Sequence, residues 1–565
     1  MGKFKKEYDV IVIGGGVNGL TAASYLQKAG LDVVVFERRD ELGTHCNTEE
    51  LGIPGVRYNM HASGMMTLAS PAYNDLELER FGLEMLTSSE WAYFHPFLDK
   101  SAVLFHQFSA NTQYEAWKRI NTHDAEVFRT LSQYLGPHWV EFMQKFFFEI
   151  PTAENLEYMI EYLGKCPVVP KGWENMTGFE VVDSMYESER IKTAVLTTGV
   201  VLEAMPWDKL TGPFGGILMP FTMVLNWCYT GRGGSHAVPH ALARCFMHHG
   251  GAVMQACPVD KIIVENGEAK GVVLSKHAVY PEAEVRAKKA VISNVTPGLT
   301  FLDMVGEEYL TPEVVTAVKG IDYNQTTITC HFVLNEKPQW IQAPQFPEVS
   351  EASVFNIGIE NIKDLERMGN DRPAGVLSDP PLCGGGCFQG FAMADQTQAP
   401  PGLYPFHLWP NVTADPTAEG GFENWDNIRE AYSDKLEALV CRHVSNFKRA
   451  KLSRLSYSPL DMYRRNASAI LGCWGGGVLS PDQFYLNRPF PGCGAPRTPI
   501  SKLYISQTLG AAPGATTLHP GYIAGTIAAE DLGVRNQDWW KAKALEPYKG
   551  YVEKKWGKKW NPVVD

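Results

Sequence analysis

Apolar positions follow two rhythms at the start of the chain. Val10-Ile11-Val12-Ile13 is a short β-branched run without a polar break, the pattern of a strand buried on both faces of a parallel sheet. From Val17 to Ala29 the spacing changes, and Leu20, Ala23 and Leu26 share one face of a helix that stops at Gly30. Val33-Val34-Val35-Phe36 then repeats the strand pattern. Strand, helix and strand in this order predict a βαβ unit.

Further along, the pattern reads as helical from Pro71 to about Tyr162, with Leu76 to Gly82 as a helix ending at glycine, and again from Gly172 to Leu202. The aromatics between Trp91 and Phe148 are read first as the core of that insertion, with some available to line an apolar chamber. Gly231 to Gly234 leads into a helix whose Leu242 and Phe246 face inward and which ends near His249-Gly250-Gly251. Ala252 to Met254, Val259 to Val264, an Asn266-Gly267 hairpin, Ala269 to Leu274 and Ala287 to Ile292 follow as strands. This is a return to the first sheet after an excursion. In the middle region Thr326 to Leu334 and Gly402 to Pro410 alternate as strands, and among Tyr404, His407 and Trp409 the alternation can aim one set at a pocket. Asn424 to Lys448 carries Ile428, Tyr432, Leu436, Leu439 and Val440 at helical spacing. The fold class is α/β: a discontinuous Rossmann-like domain (1–70, 226–296 and 457–565, the last including a C-terminal tail), a helical insertion (71–225) and a mixed α+β substrate domain (297–456).

Length and charge narrow the classes. The chain has 565 residues, enough for two or three domains, and a formal net charge of -12 with its basic residues dispersed, which argues against a nucleic-acid surface. No apolar run of membrane-spanning length and no signal-type segment ahead of Tyr8 is seen, and Lys3 to Lys6 reads as a solvated tail, so a cytoplasmic protein is expected. Eleven scattered cysteines fit a reducing compartment. Cys383-Gly-Gly-Gly-Cys387 reads as a flexible loop, and no metal site is expected there or elsewhere.

The candidate chemistry begins where the first strand ends. Gly14, Gly16 and Gly19 form G-x-G-x-x-G between strand and helix, and Glu37 closes the second strand eighteen residues after Gly19. Glycines are needed there for the turn, for close backbone approach to a pyrophosphate and for helix packing, while a carboxylate at Glu37 accepts ribose hydroxyls. Glu37 would repel a 2′-phosphate despite Arg38 and Arg39, which favours FAD or NAD over NADP. Gly43 and Thr44 form a second turn suited to close approach, and Cys46 follows it. Tyr58 to Met66 reads as strand then turn, with His61 as a candidate reactive group.

The Gly233-Gly234 loop, the helix and hairpin after it, Val291-Ile292-Ser293-Asn294, Pro459-Leu460-Asp461, Arg488-Pro489, Arg497 to Ile500, Leu503-Tyr504-Ile505, Pro513-Gly514, His519-Pro520-Gly521, Gly525 and Ala528-Ala529 complete a pattern. In order and spacing it resembles the phytoene-desaturase-type FAD-dependent oxidoreductases, and most of all their phytoene-dehydrogenase-related branch. That resemblance implies FAD as cofactor, with Gly14, Gly16, Gly19, Glu37 and Arg38 at its ADP half. It implies Val259 at the adenine, Gly43 and Thr44 at the phosphates and ribitol, and Pro520 and Gly521 at the flavin ring. Relatives read Gly-Gly-Gly after His-Pro; here Tyr522 follows Gly521 and puts a ring where backbone alone is expected. The implied activity is dehydrogenation, or desaturation, of a small to medium, largely apolar organic substrate by hydride transfer to the flavin. Candidate catalytic groups are His61 and His519, with Arg232 as an electrostatic partner. The rivals are a redox-neutral isomerase or hydratase that needs reduced flavin and a flavin-binding scaffold without turnover. Expected partners are the small-molecule substrate and an electron acceptor of unknown nature, with self-association an open option.

Overall fold

The computed structural model describes residues 4–43, 45–87, 89–107, 109–202, 217, 229–387, 393–491, 493, 496–507, 516–541 and 543–557. Its largest sheet has seven strands drawn from three distant stretches of chain. β1 (Glu7–Ile13) lies between β2 (Val33–Phe36) and Glu284–Ser293, parallel to both. Ala252–Met254 extends the parallel core beyond β2, and Leu503–Ile505 pairs in parallel with Glu284–Ser293. Val259–Glu265 and Glu268–Leu274 add an antiparallel edge, turned at Asn266 and Gly267, both at positive φ.

Burial explains the uninterrupted apolar runs. Val10, Val12, Val33 and Val35 enter a core that contains Leu20, Ala23 and Leu26 of α1 (Val17–Lys28). Ile11, Ile13, Val34 and Phe36 enter a second core on the opposite face with Val291, Leu503 and Ile505. Alternation thus sends each side chain into protein whichever way it points. The helix His519–Asp531 crosses α1 closely: a Cβ on Gly521 would stand 2.1 Å from the Asn18 carbonyl oxygen, and one on Gly525 3.2 Å from Ala22 Cα. Only glycine lets the two backbones approach so far.

Several local readings differ from the structure. The stretch expected to be wholly helical contains strands at Met85–Leu86, Trp91–Pro96 and Ala102–His106 before its helices begin at Ala110–Lys118. Trp91–Pro96 pairs with Val354–Ile357, and Val354–Ile357 with Cys383–Cys387, which is therefore an edge strand and not a loop. Leu76 caps the short helix Pro71–Asp75 instead of continuing it, and Glu77 turns the chain at φ 51°. The basic tail is also anchored, since Phe4 stacks on Tyr280 at 3.9 Å and Lys5 bonds Asp32 at 2.8 Å. A further sheet, ordered Tyr404–Leu408, Thr329–Leu334, Lys451–Tyr457, brings the middle region against the crease of the Rossmann unit. Among the described residues no helix is long and apolar enough to cross a membrane.

A candidate flavin cleft

A cavity of about 860 Å³ opens at the carboxyl ends of β1 and β2, where ligands bind in open α/β sheets. Gly14, at φ 94°, turns the chain out of β1, and its amide donates to the Phe36 carbonyl at 2.8 Å. The Gly15 amide donates to Glu37 Oε2 at 2.7 Å and the Arg39 amide to Oε1 at 2.9 Å, so both oxygens of the acid are fixed by backbone. Burial pushes the Glu37 carboxyl pKa up, against the pull of those two amides. Gly16 precedes α1 in extended conformation, and no side chain caps the helix. Its first amides therefore face the cavity as donors at a positive dipole end.

The glycines divide the work. A Cβ on Gly16 would come within 2.8 Å of Asn294 Nδ2, and one on Gly19 within 2.2 Å of the Gly14 carbonyl oxygen. Gly16 thus keeps the cavity floor open, while Gly19 seats the helix on the strand. Gly43, at φ 82°, donates to the Gly15 carbonyl at 3.0 Å and leaves no room for a Cβ against Pro239. Thr44 lies outside the described residues. Val259 lines the cavity near Cys257, whose amide donates to the Glu37 carbonyl at 2.8 Å.

Two arginines stand over this crease. Arg39 donates to the Arg465 carbonyl at 3.0 Å and to Glu41 at 3.1 Å, while Arg465 pairs with Glu41 at 2.6 Å and with Glu49. Both line the cavity, and the buried Nε of each lacks a partner. Gln507 Oε1, His61 Nδ1, Thr327 Oγ1 and Trp474 Nε1 are likewise buried on the lining without partners. Buried polar groups are rarely left so, and a row of them along one cavity marks a polar ligand's path. Acid, open helix end, glycine floor and unpartnered donors together fit an adenine dinucleotide that runs from Glu37 toward Pro520.

Beyond the crease the lining changes. Trp409, Met462, Cys473 and Trp474 give the cavity an apolar stretch of lining, with the two indole rings 5.2 Å apart. Cys46 Sγ lies 3.3 Å from Thr516 Oγ1, and burial pushes its thiol pKa up to about 11. Burial likewise lowers the His45 pKa to about 4. The His61 ring stands 5.4 Å from that of His45. Its pKa falls well below the ordinary value through burial first, then His45, Arg465 and His331.

Of the residues singled out from sequence, Gly14, Gly16, Glu37, Arg38, Gly43, Val259, Pro520 and His61 line this one cavity. Four others stand elsewhere. Gly19 and Gly521 are packing glycines against the Gly14 and Asn18 carbonyls. His519 is buried behind Pro520, its Nδ1 bonded to the Thr517 hydroxyl and its ring edge-on to Phe147. Arg232 is exposed and paired with Glu84, outside the cavity lining. Tyr522 does not intrude on the cavity either, because its ring packs edge-on to Tyr25 at 5.5 Å. Sequence reasoning did not single out Asn294, Arg465 or Gln507 as site residues. Asn294 directly follows the strand Glu284–Ser293, a signal that was available; Arg465 reaches the crease from 424 residues beyond Glu41.

Residues 12–77 match the model of an NAD(P)-binding Rossmann-like domain. The chain is 28% identical to the rat protein "Pyridine nucleotide-disulfide oxidoreductase domain-containing protein 2" over 94% of its own length and 95% of that protein. It is 28% identical to a limonene dehydrogenase component of Castellaniella defragrans over 95% and 96% of the two chains. The zeta-carotene-forming phytoene desaturase of Myxococcus xanthus is 23% identical over 54% of this chain and 56% of its own. An oxidoreductase structure from Methanosarcina mazei shares the fold, with a TM-score of 0.55 at 16% identity over 92% of this chain and 99% of that one.

With relatives of this kind along most of its length and a Rossmann-like domain at its start, the chain is an FAD-dependent oxidoreductase. Its homologues include the phytoene and carotenoid desaturases and limonene dehydrogenase, the group whose motifs both ends of the chain carry.

Proposed function

We propose that this enzyme dehydrogenates a small to medium, largely apolar organic molecule, with hydride passing to the flavin. The observation that carries the reading is the continuity of one cavity, from the Glu37 crease to an apolar stretch formed by Trp409, Met462, Cys473 and Trp474. Bound FAD supplies the two-electron acceptor; the protein supplies binding, orientation and exclusion of water. In this reading Gly14, Gly16 and Glu37 hold the ADP half, Arg38, Arg39, Gly43 and Arg465 neighbour the phosphates, Val259 meets the adenine, and Pro520 borders the ring end. In the same reading stretches 1–70, 226–296 and 457–565 make the cofactor domain, 71–225 the insertion, and 297–456 a substrate domain that reaches the cavity through Thr327 and Trp409.

The indoles and Met462 present apolar surface to a substrate, which is displaced from water when it enters. His61, uncharged through burial, offers an unpartnered Nδ1 to the ring end or the substrate. His519 has a positioning role, holding the turn that carries Pro520. Relatives named for a limonene dehydrogenase and a phytoene desaturase support an unsaturated hydrocarbon-like substrate. Anaerobic mixing of the purified holoenzyme with a panel of monoterpenes and longer polyenes tests this. Bleaching of the flavin band with formation of a product two hydrogens poorer is expected. A product of unchanged oxidation level, formed only after prior reduction, would replace the reading with an isomerase or hydratase.

A further inference from the structure

Behind the part of the cavity wall made by His61 and Ser63 lies a group of imidazoles that the reaction outlined above does not yet use. His331 and His407 face each other as direct partners on adjacent antiparallel strands, their rings stacked at 4.2 Å and 20°. Ser63 lines the cavity, and its Oγ lies 3.3 Å from His407 Nδ1. Ser63, His61, His331 and His407 are all at most 7% exposed. His331 bonds the Met60 backbone through one nitrogen and leaves Nε2 without a partner, as His61 leaves Nδ1. Tyr58 meets the His331 ring edge-on at 5.2 Å. The groups around the cluster are His45 and Arg465 toward His61, with Arg465 itself paired to Glu41 and Glu49, and Tyr58 toward His331 with Glu49 as its strand partner.

We propose that Ser63 and His407, backed by His331, take up the proton that a substrate loses in this cavity while its hydride goes to the flavin. The proposal rests on the dehydrogenase reading. In that reaction one C–H bond gives its electron pair to the flavin as hydride. The neighbouring C–H bond breaks, and its electron pair becomes the new π bond. Its proton goes to Ser63 Oγ as the Ser63 hydroxyl proton passes to His407 Nδ1, in the tautomer that carries its own proton on Nε2. The substrate is oxidised by two electrons, the flavin is reduced by two, and one imidazole becomes imidazolium.

A weak base suffices, because a C–H bond next to a carbon that is losing hydride becomes strongly acidic as positive charge develops. A base of ordinary histidine strength would already carry a proton in part of the population near neutral pH. Burial holds His331 at about 3 and His407 well below the ordinary value, so the acceptor is empty when the substrate arrives. The stack against His331 holds the His407 ring in place opposite the Ser63 hydroxyl.

The test is read first without substrate and then beside the substrate panel described above. The flavin midpoint potential of the holoenzyme is measured against redox dyes over the pH range in which it keeps its cofactor, and protonation of the reduced flavin is followed separately in its own spectrum. Each proton coupled to the two-electron step steepens the potential by about 30 mV per pH unit. Wild type is expected to show an interval with one proton more than the flavin spectrum accounts for, lost in His407→Gln. If that variant does not retain FAD, His407→Phe, which keeps a ring against His331, takes its place. The proposal is overturned if wild type takes up only the flavin's own protons, or if the excess persists in the variant. Bleaching by substrate without an excess proton removes the acceptor alone. An excess proton without bleaching by any substrate removes the dehydrogenase reading instead.

Discussion

Glu37 accepts the Gly15 amide at 2.7 Å, so the acid that closes the second strand also closes the glycine turn at the end of the first. The same carboxylate takes the Arg39 amide at 2.9 Å. A residue read from sequence as a ribose ligand is therefore also the clamp that sets the shape of the cavity floor.

Glu37→Gln puts an NH₂ group against one of two backbone donors and removes the charge from the hydroxyl acceptor. Hydrogen bonds to a charged group contribute about 1.5–3 kcal/mol. FAD affinity is expected to fall by roughly tenfold to a hundredfold, read by titrating apoprotein with FAD and following flavin fluorescence. Affinity within twofold of wild type would show that Glu37 does not meet the cofactor.

Acid should weaken the fold earlier than usual. His45, near 4, and His331, near 3, are depressed from 6.5 by burial, and His61 and His407 are lowered in the same direction. Depressed bases contribute stability that is present above the unfolded value of 6.5 and is lost as pH falls toward the folded values. A buried histidine loses about 1.4 kcal/mol of that stability for each pH step between its unfolded and folded values, so His331 alone accounts for about 3 kcal/mol by pH ~4. Denaturant midpoints measured downward from pH ~6.5 should fall steeply. A flat profile over that window would contradict the buried placement of these rings.

Gly521→Ala drives a methyl into the Asn18 carbonyl, a backbone atom that cannot turn aside. Overpacking of this kind costs about 1–3 kcal/mol. Gly525→Ala, whose Cβ would meet Ala22 Cα at 3.2 Å, should cost less. Thermal melts of the two variants are expected in that order, both below wild type; the reverse order would mean that the helices cross elsewhere.

Cys46 lines the cavity yet keeps its proton to about pH 11. The thiolate is the nucleophile, so alkylation should be slow. Native holoenzyme treated with iodoacetamide at mildly alkaline pH, then digested and weighed by mass spectrometry, should return Cys46 unmodified. Rapid labelling would mean that the site opens to solvent.

The βαβ unit was legible because all of its signals sit within thirty residues: two apolar runs, a helical stripe, three glycines and an acid. The strand at Trp91–Pro96 was not, because its aromatics suit a helix core equally well, although it pairs with the nearby Ala102–His106 as well as with Val354–Ile357 some 260 residues away. Arg465 was hidden because its contacts to Glu41 and Glu49 exist only after folding. Arg232, set in a glycine-rich loop that promised a site, satisfies Glu84 at the surface. The direction of Tyr522 was out of reach, because residue order does not say which way a helix turns its first ring.

The parallel sheet cannot be completed until Leu503–Ile505 arrives beside Glu284–Ser293. Translation at roughly 5–20 residues per second would separate the emergence of Val291 from that of its closing strand by roughly 10–40 s. During that time Val291 and Ile292 have an unpaired side that awaits Leu503–Ile505. Flavin capture is thereby tied to the arrival of that strand, and a chain cut before residue 503 would carry the nucleotide motif intact and leave the cleft without Gln507, Thr516, Thr517 and Pro520.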